Sequence, residues 1–141
     1  MLGIIGAMDI EVDAIKAKIC DKTQSDIAGI TFVCGYIENV MVVAAQCSPG
    51  KVNAAICAQL MIDKFNPDKI INLGVGCSLN ENVAIKNVVI ASDVCEYDID
   101  MTAIGEPRGY INGLNIISIE TDSELSESLS QCAIRCGEKI H

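Results

Sequence analysis

Leu2-Gly3-Ile4-Ile5-Gly6-Ala7 opens the chain without a charge and ends on small residues. Adjacent β-branched side chains make both faces apolar, the pattern of a strand buried on two sides. Asp9 then supplies a helix cap, and Ile10 to Lys18 carries Val12 and Ile15 among charges. A buried strand feeding a helix is the repeating unit of an α/β fold.

The same alternation continues outward. Ile30–Ile37 and Val40–Gln46 read as two strands joined at Glu38-Asn39. Ser48-Pro49-Gly50-Lys51 is a tight loop into a helix from about Val52 to Phe65, whose Val52, Ile56, Leu60 and Ala54/Ala55 suit packing on a sheet. Lys69–Leu73 reads as a second buried strand ending in Gly74-Val75-Gly76, and Asn87–Asp93 as a third, with Val88, Val89 and Ile90 in a row. Thr121-Asp122-Ser123-Glu124 matches a capping box, Leu125, Leu129, Cys132 and Cys136 repeat at helical spacing, and Gly137 is a natural stop. These elements predict one domain over residues 1–141, with a mixed, mostly buried sheet between two helical layers. Its site is expected at the carboxyl ends of the strands. Glu138-Lys139-Ile140-His141 begins like another strand. An α/β chain rarely ends on a crossover helix, so the expectation is an incomplete domain, cut short on its carboxyl-terminal side.

Composition narrows the function. The 141 residues are 50% hydrophobic and 21% charged, with a formal charge of −9, so a polyanion would be repelled and nucleic acid is excluded as a partner. No apolar run approaches the roughly 20 residues of a membrane span. Asp9, Glu11 and Asp13 follow the apolar start with no basic residue before it, which is wrong for a secretory leader and points to the cytoplasm. The eight cysteines contain no Cys-x-x-Cys pair and the single histidine is His141, so zinc spacing is missing. They read mostly as buried small hydrophobes in a reducing compartment.

Four stretches have chemical potential. Glu11 lies just past the first strand and would activate a water if desolvation raised its pKa; equally, it complements the dipole of the helix it starts. Gly74-Val75-Gly76-Cys77-Ser78 would let a ligand approach the backbone closely. It is not a dinucleotide fingerprint, because Leu79 stands in place of the third glycine and Asn80-Glu81-Asn82 is a poor helix start. Ser48–Lys51 offers either a helix amino terminus for polar ligand atoms or a purely structural turn. Asp98 and Asp100 read as a carboxylate pair, a metal site or a solvated loop; no third metal ligand stands at a suggestive spacing.

Together these stretches resemble one family. Gly3–Val12 is similar to the G-I-I-G-A-M-x-x-E-V opening of methylthioadenosine/S-adenosylhomocysteine nucleosidases, within the purine and uridine phosphorylase superfamily. Ser48–Ala55 resembles their S-G-I-G-K-V-x-A-A loop, with one residue fewer at its start. Asn72–Leu79 resembles N-x-G-x-A-G-G-L, and Asp93 with Tyr97–Ala103 resembles S-D-x-x-x-Y-H-D-x-D-V-T-A. The resemblance implies hydrolysis of the N-glycosidic bond of an adenine thionucleoside, without cofactor or metal, by a homodimer with residues Arg108–Gly113 near its interface. It makes Glu11 the group that activates water. Met8 would line the ribose, Val75, Gly76 and Cys77 would contact the nucleoside, and Pro49, Met101 and Ile104 would line the sugar and alkylthio pocket. Nothing here matches the family's ribose-binding Met-Glu pair or its purine-protonating aspartate, and Cys77 replaces a glycine.

Overall fold

The computed structural model describes all residues, Met1–His141. They form two compact units, Met1–Cys77 and Ser78–His141.

The first unit is a five-stranded sheet with a helix on each face. β1 (Leu2–Gly6), β2 (Cys20–Ile27), β3 (Ile30–Ile37), β4 (Val40–Gln46) and β5 (Lys69–Asn72) run in the order β2-β3-β4-β1-β5. β1 is parallel to β4 and β5, whereas β3 is antiparallel to both its neighbours, so the sheet is mixed as expected. Alternation along the strands divides the core. Ile5, Phe32, Cys34, Val43 and Ala45 face α2 (Lys51–Phe65), which adds Cys57 and Met61. Ile4, Val33, Val42 and Ala44 face the other way, toward Ile15 of α1 (Asp9–Lys18) and Ile19 beyond it. This is the three-layer α/β/α arrangement that the doubly apolar strands require.

Three details differ from expectation. The cap of α1 is Met8, in extended conformation, with Asp9 as the first helical residue. The sheet-facing side of α2 is Cys57 and Met61 with Ala54, Ala58 and the expected Leu60, while Val52 and Ile56 point outward at 73% and 48% exposure. Both stripes are apolar at helical spacing, so periodicity alone does not choose; the smaller residues let the helix lie closer to the sheet. β2 went unforeseen because Cys20-Asp21-Lys22-Thr23-Gln24-Ser25-Asp26-Ile27 is polar and exposed except at its end, as suits an edge strand. Its turn explains it: Ala28 (φ 51°) and Gly29 (φ 81°) form a two-residue hairpin between paired Ile27 and Ile30.

The second unit has shorter elements: β6 (Asp93–Cys95) antiparallel to β7 (Ser118–Glu120), a 3-10 turn over Thr102–Ile104, and α3 (Ser123–Arg135). The strand expected over Asn87–Asp93 is corrected to a single parallel bridge, Val88 with Ile140, before β6 begins at Asp93. Its partner is Lys139–His141, the segment read as the start of another strand: the Val88 and Ile90 N–H groups donate to the Lys139 and His141 carbonyls, and the His141 N–H to that of Val88. α3 is capped one residue later than Thr121: Asp122 accepts the Leu125 N–H at 2.8 Å. At its end Gly137 (φ 82°) donates to the Ile134 carbonyl and Glu138 to that of Ala133, a Schellman closure. The thiols also need correction: Cys34, Cys47 and Cys57 are buried, but Cys20, Cys77, Cys95, Cys132 and Cys136 are exposed.

Candidate active site

The carboxyl ends of β1, β4 and β5 meet in the first unit, with Gly6 beside Gln46 and Ile5 beside Asn72. The chain leaves β1 through Ala7 and Met8, whose N–H groups precede α1 and have no partner within the helix. Glu11, in the first turn, folds back to satisfy them. Its Oε2 accepts the N–H of Ala7 and of Met8, each at 2.8 Å. Its Oε1 reaches across to β5's exit and accepts the Val75 N–H at 3.0 Å. Leu73 N–H donates to the Ile5 carbonyl at 2.9 Å, which holds that exit alongside β1, and Gln46 Nε2 approaches the Ala7 carbonyl at 3.4 Å. A recess of about 320 Å³, lined by Ile10, Glu11, Leu73, Gly74 and Val75, opens beside the carboxylate.

This arrangement reverses the expected electrostatics. The Val75 N–H above all, then that of Met8, holds the Glu11 carboxyl below the ordinary glutamate range; desolvation opposes them without prevailing, and the Ala7 N–H adds to the lowering. The carboxylate is therefore ionised at neutral pH. The helix-start reading of Glu11 is correct for its bonds to Ala7 and Met8, but it does not account for the bond to Val75, 64 residues away. An ionised carboxylate offers about four lone-pair positions. Three are taken by backbone N–H groups, leaving one, on Oε1, to receive a proton from a water or a ligand hydroxyl.

Of the other residues singled out in the sequence, Met8 and Val75 meet Glu11 through their backbones, and their side chains are 37% and 79% exposed. Gly76 has open space where a side chain would be, and Cys77 is exposed. Pro49 lies in the loop before α2, where its carbonyl accepts the Asn53 side-chain amide at 2.8 Å and Gly50 (φ 110°) is the helix cap. Met101 and Ile104 belong to the second unit. There the Met101 sulfur accepts from Asn112 Nδ2 at 3.6 Å, and Ile104 is exposed. Asp100 is engaged structurally. Its Oδ1 binds the Thr102 hydroxyl and N–H, and its Oδ2 pairs with Arg108. The Thr102 hydroxyl, then its N–H, then Arg108 hold the Asp100 carboxyl below its ordinary value, against desolvation. Sequence reasoning missed Gly74, Ala7 and Gln46 as parts of the Glu11 seat; the last two act through hydrogen bonds that sequence spacing does not display.

The phosphorylase superfamily model matches residues 1–141. The chain belongs to that superfamily. Among its relatives is a 5′-methylthioadenosine/S-adenosylhomocysteine nucleosidase of Staphylococcus haemolyticus, 40% identical over 129 residues, covering 92% of this chain and 56% of the relative. The nucleosidase of Neisseria meningitidis, solved with methylthio-immucillin-A, superposes with a TM-score of 0.93 at 25% identity, over 99% of this chain and 60% of that one. That of Colwellia psychrerythraea, solved with adenine, gives 0.92 at 30% identity, over 99% and 57%. This phosphorylase-superfamily chain thus spans a little over half the length of the relatives it matches. No helix in it is long and apolar enough to cross a membrane.

Proposed function

We propose that this chain carries the water-activating part of a nucleosidase site that hydrolyses the N-glycosidic bond of 5′-methylthioadenosine or S-adenosylhomocysteine. The observation that carries the reading is the seat of Glu11: a carboxylate fixed by Ala7, Met8 and Val75 N–H groups with one lone pair left beside an open recess. The nucleosidase relatives named above support the substrate class.

In this reaction a water oxygen bonds to C1′ of the sugar while the C1′–N9 bond breaks and its electron pair leaves with adenine. Glu11 Oε1 accepts a hydrogen bond from that water and orients it. The water's proton then passes to the carboxylate or to solvent. Because the carboxyl is acidic, orientation and electrostatic stabilisation of the oxocarbenium-like sugar outweigh general-base driving force. Within the first unit, Met8 lines the ribose, Val75, Gly76 and Cys77 face the nucleoside, and Pro49 lines the sugar side. The proton that makes adenine a good leaving group comes from a residue that this chain does not match.

A phosphorylase reaction would need free cations for phosphate. Arg108 is paired with Asp100, which favours water as the acceptor. We further propose a homodimer working in the cytoplasm; the outward apolar residues Val52, Ile56 and Ile62 of α2 support an interface.

The test is product analysis in ¹⁸O-labelled water. The chain is assayed alone and joined to the carboxyl-terminal remainder of the S. haemolyticus relative. Adenine release at a rate independent of phosphate, with ¹⁸O at C1 of the thioribose, is expected from the joined form. Phosphate-dependent release, or no release from either form, overturns the reading.

A further inference from the structure

We infer that Gly74 is a positioning residue for Glu11: the space left by its missing side chain is where the Glu11 carboxylate sits. This rests on the nucleosidase reading for its catalytic consequence, though not for its geometry.

Glycines after a strand are usually read as backbone freedom or room for a ligand, and neither explains Gly74. Its φ is not among the positive ones, so any residue would fit its backbone. A methyl group built there would lie 2.6 Å from Glu11 Oε1, 3.0 Å from its Cδ and 3.3 Å from Oε2, and these are its three nearest neighbours. What approaches the backbone at position 74 is therefore the protein's own carboxylate. The other glycines of this end of the sheet behave differently. At Gly6 the neighbours are Val12 Cγ1 at 2.6 Å, the Leu73 carbonyl and Glu11 Cβ, so that glycine makes room for the first turn of α1. At Gly76 a methyl group meets nothing within 4 Å.

The consequence is selective. The atoms that a residue-74 side chain would displace are the end of a flexible side chain, so the fold can accommodate the change by swinging Glu11 aside. The swing breaks the Oε1 bond to the Val75 N–H, which is the bond that ties the carboxylate to the recess. Gly74 thus fixes the direction of the remaining lone pair, and the next residue supplies the N–H that holds it there. A displacement of this kind, on the order of 1 Å, costs about 10²-fold in rate where the displaced group must meet a reacting atom.

The experiment is a ¹³C NMR titration of the glutamate carboxyls in the 141-residue chain. The Glu11 signal is assigned by its loss in Glu11→Gln, and the titration is repeated in Gly74→Ala and Gly76→Ala. The Glu11 midpoint is expected to move up toward the ordinary glutamate value in Gly74→Ala and to stay in place in Gly76→Ala. A midpoint unchanged in Gly74→Ala overturns the inference. Thermal unfolding gives a second reading that survives a poorly folded single variant. Gly74→Ala should lower Tm less in a Glu11→Ala background than in the parent, because the obstructing side chain is gone; equal losses in both backgrounds mean that position 74 is ordinary packing and overturn the inference. Adenine release by the joined form separates the two proposals. A shifted Glu11 titration with about 10²-fold slower release supports both, whereas a shifted titration with unchanged release leaves Gly74 as the seat and removes Glu11 from the chemistry.

Discussion

Every fully buried apolar side chain lies between Ile4 and Met61, in the first unit, whereas Gly109 is the sole buried residue of the second. The second unit is not short of apolar residues. Val89, Val94, Leu114, Ile117, Ile119 and Ile134 are there, all exposed. The difference lies in pairing. β4 has a paired strand on each edge and a helix layer on each face, so Val42, Val43, Ala44 and Ala45 are all buried. β6 and β7 pair only with each other over three residues. Apolar content supplies the driving force, but neighbouring strands and helices decide whether it is realised.

Side-chain truncation in each of the two units should show this contrast most strongly. Phe32, fully buried with its ring 5.1 Å from that of Phe65 and tilted 34° to it, is expected to cost about 3–5 kcal/mol when replaced by alanine. Ile119→Ala, at a position 44% exposed, should cost less than about 1 kcal/mol. Urea unfolding of both variants checks this, and equal losses would break the comparison. Hydrogen exchange sharpens it without mutation: amides of β1 and β4 should be the slowest in the chain, and those of β6 and β7 should exchange through local opening.

Smaller effects distinguish local devices. Asp122→Ala removes the cap of α3 and should cost about 1 kcal/mol in the second unit, with Asp122→Asn largely restoring it; far-UV circular dichroism during unfolding reports this. The smallest effect is on pH dependence. Glu11 and Asp100 are both held below their ordinary values, so each stabilises its own unit above the ordinary carboxylate range, about 4. That contribution is lost as pH falls through the lowered folded values. Acid titration should therefore loosen Ala7–Glu11 and Asp100–Arg108 separately, and Glu11→Gln should remove only the first change, as followed by residue-level NMR shifts.

How much was legible in the sequence follows the same division. β1, β3, β4, β5 and α2 could be read because each carries an apolar run that its own residues display, wherever its partner lies along the chain. β2 could not, since its polar residues pack against nothing and only the Ala28-Gly29 turn marks it. Val88–Ile90 does pair, with Lys139–His141, but over too few residues to make the strand expected across Asn87–Asp93. At the site, Glu11 stood out through its motif and place after β1. The direction of its pKa shift was hidden, because the Val75 N–H that sets it comes from the end of another strand. Gly74 was visible as a letter, but the reason for it was not.

We propose that the ionised Glu11 carboxylate, held by three backbone N–H groups, activates the attacking water. Adenine release from methylthioadenosine by the joined form of the chain, compared with its Glu11→Gln variant, tests it most directly. Glutamine matches the size but must turn an N–H₂ toward one of the N–H donors, so it can neither occupy the seat fully nor carry the charge. Release is expected to fall about 10²–10⁴-fold at neutral pH. A Glu11→Gln variant that releases adenine at the parent rate would contradict it.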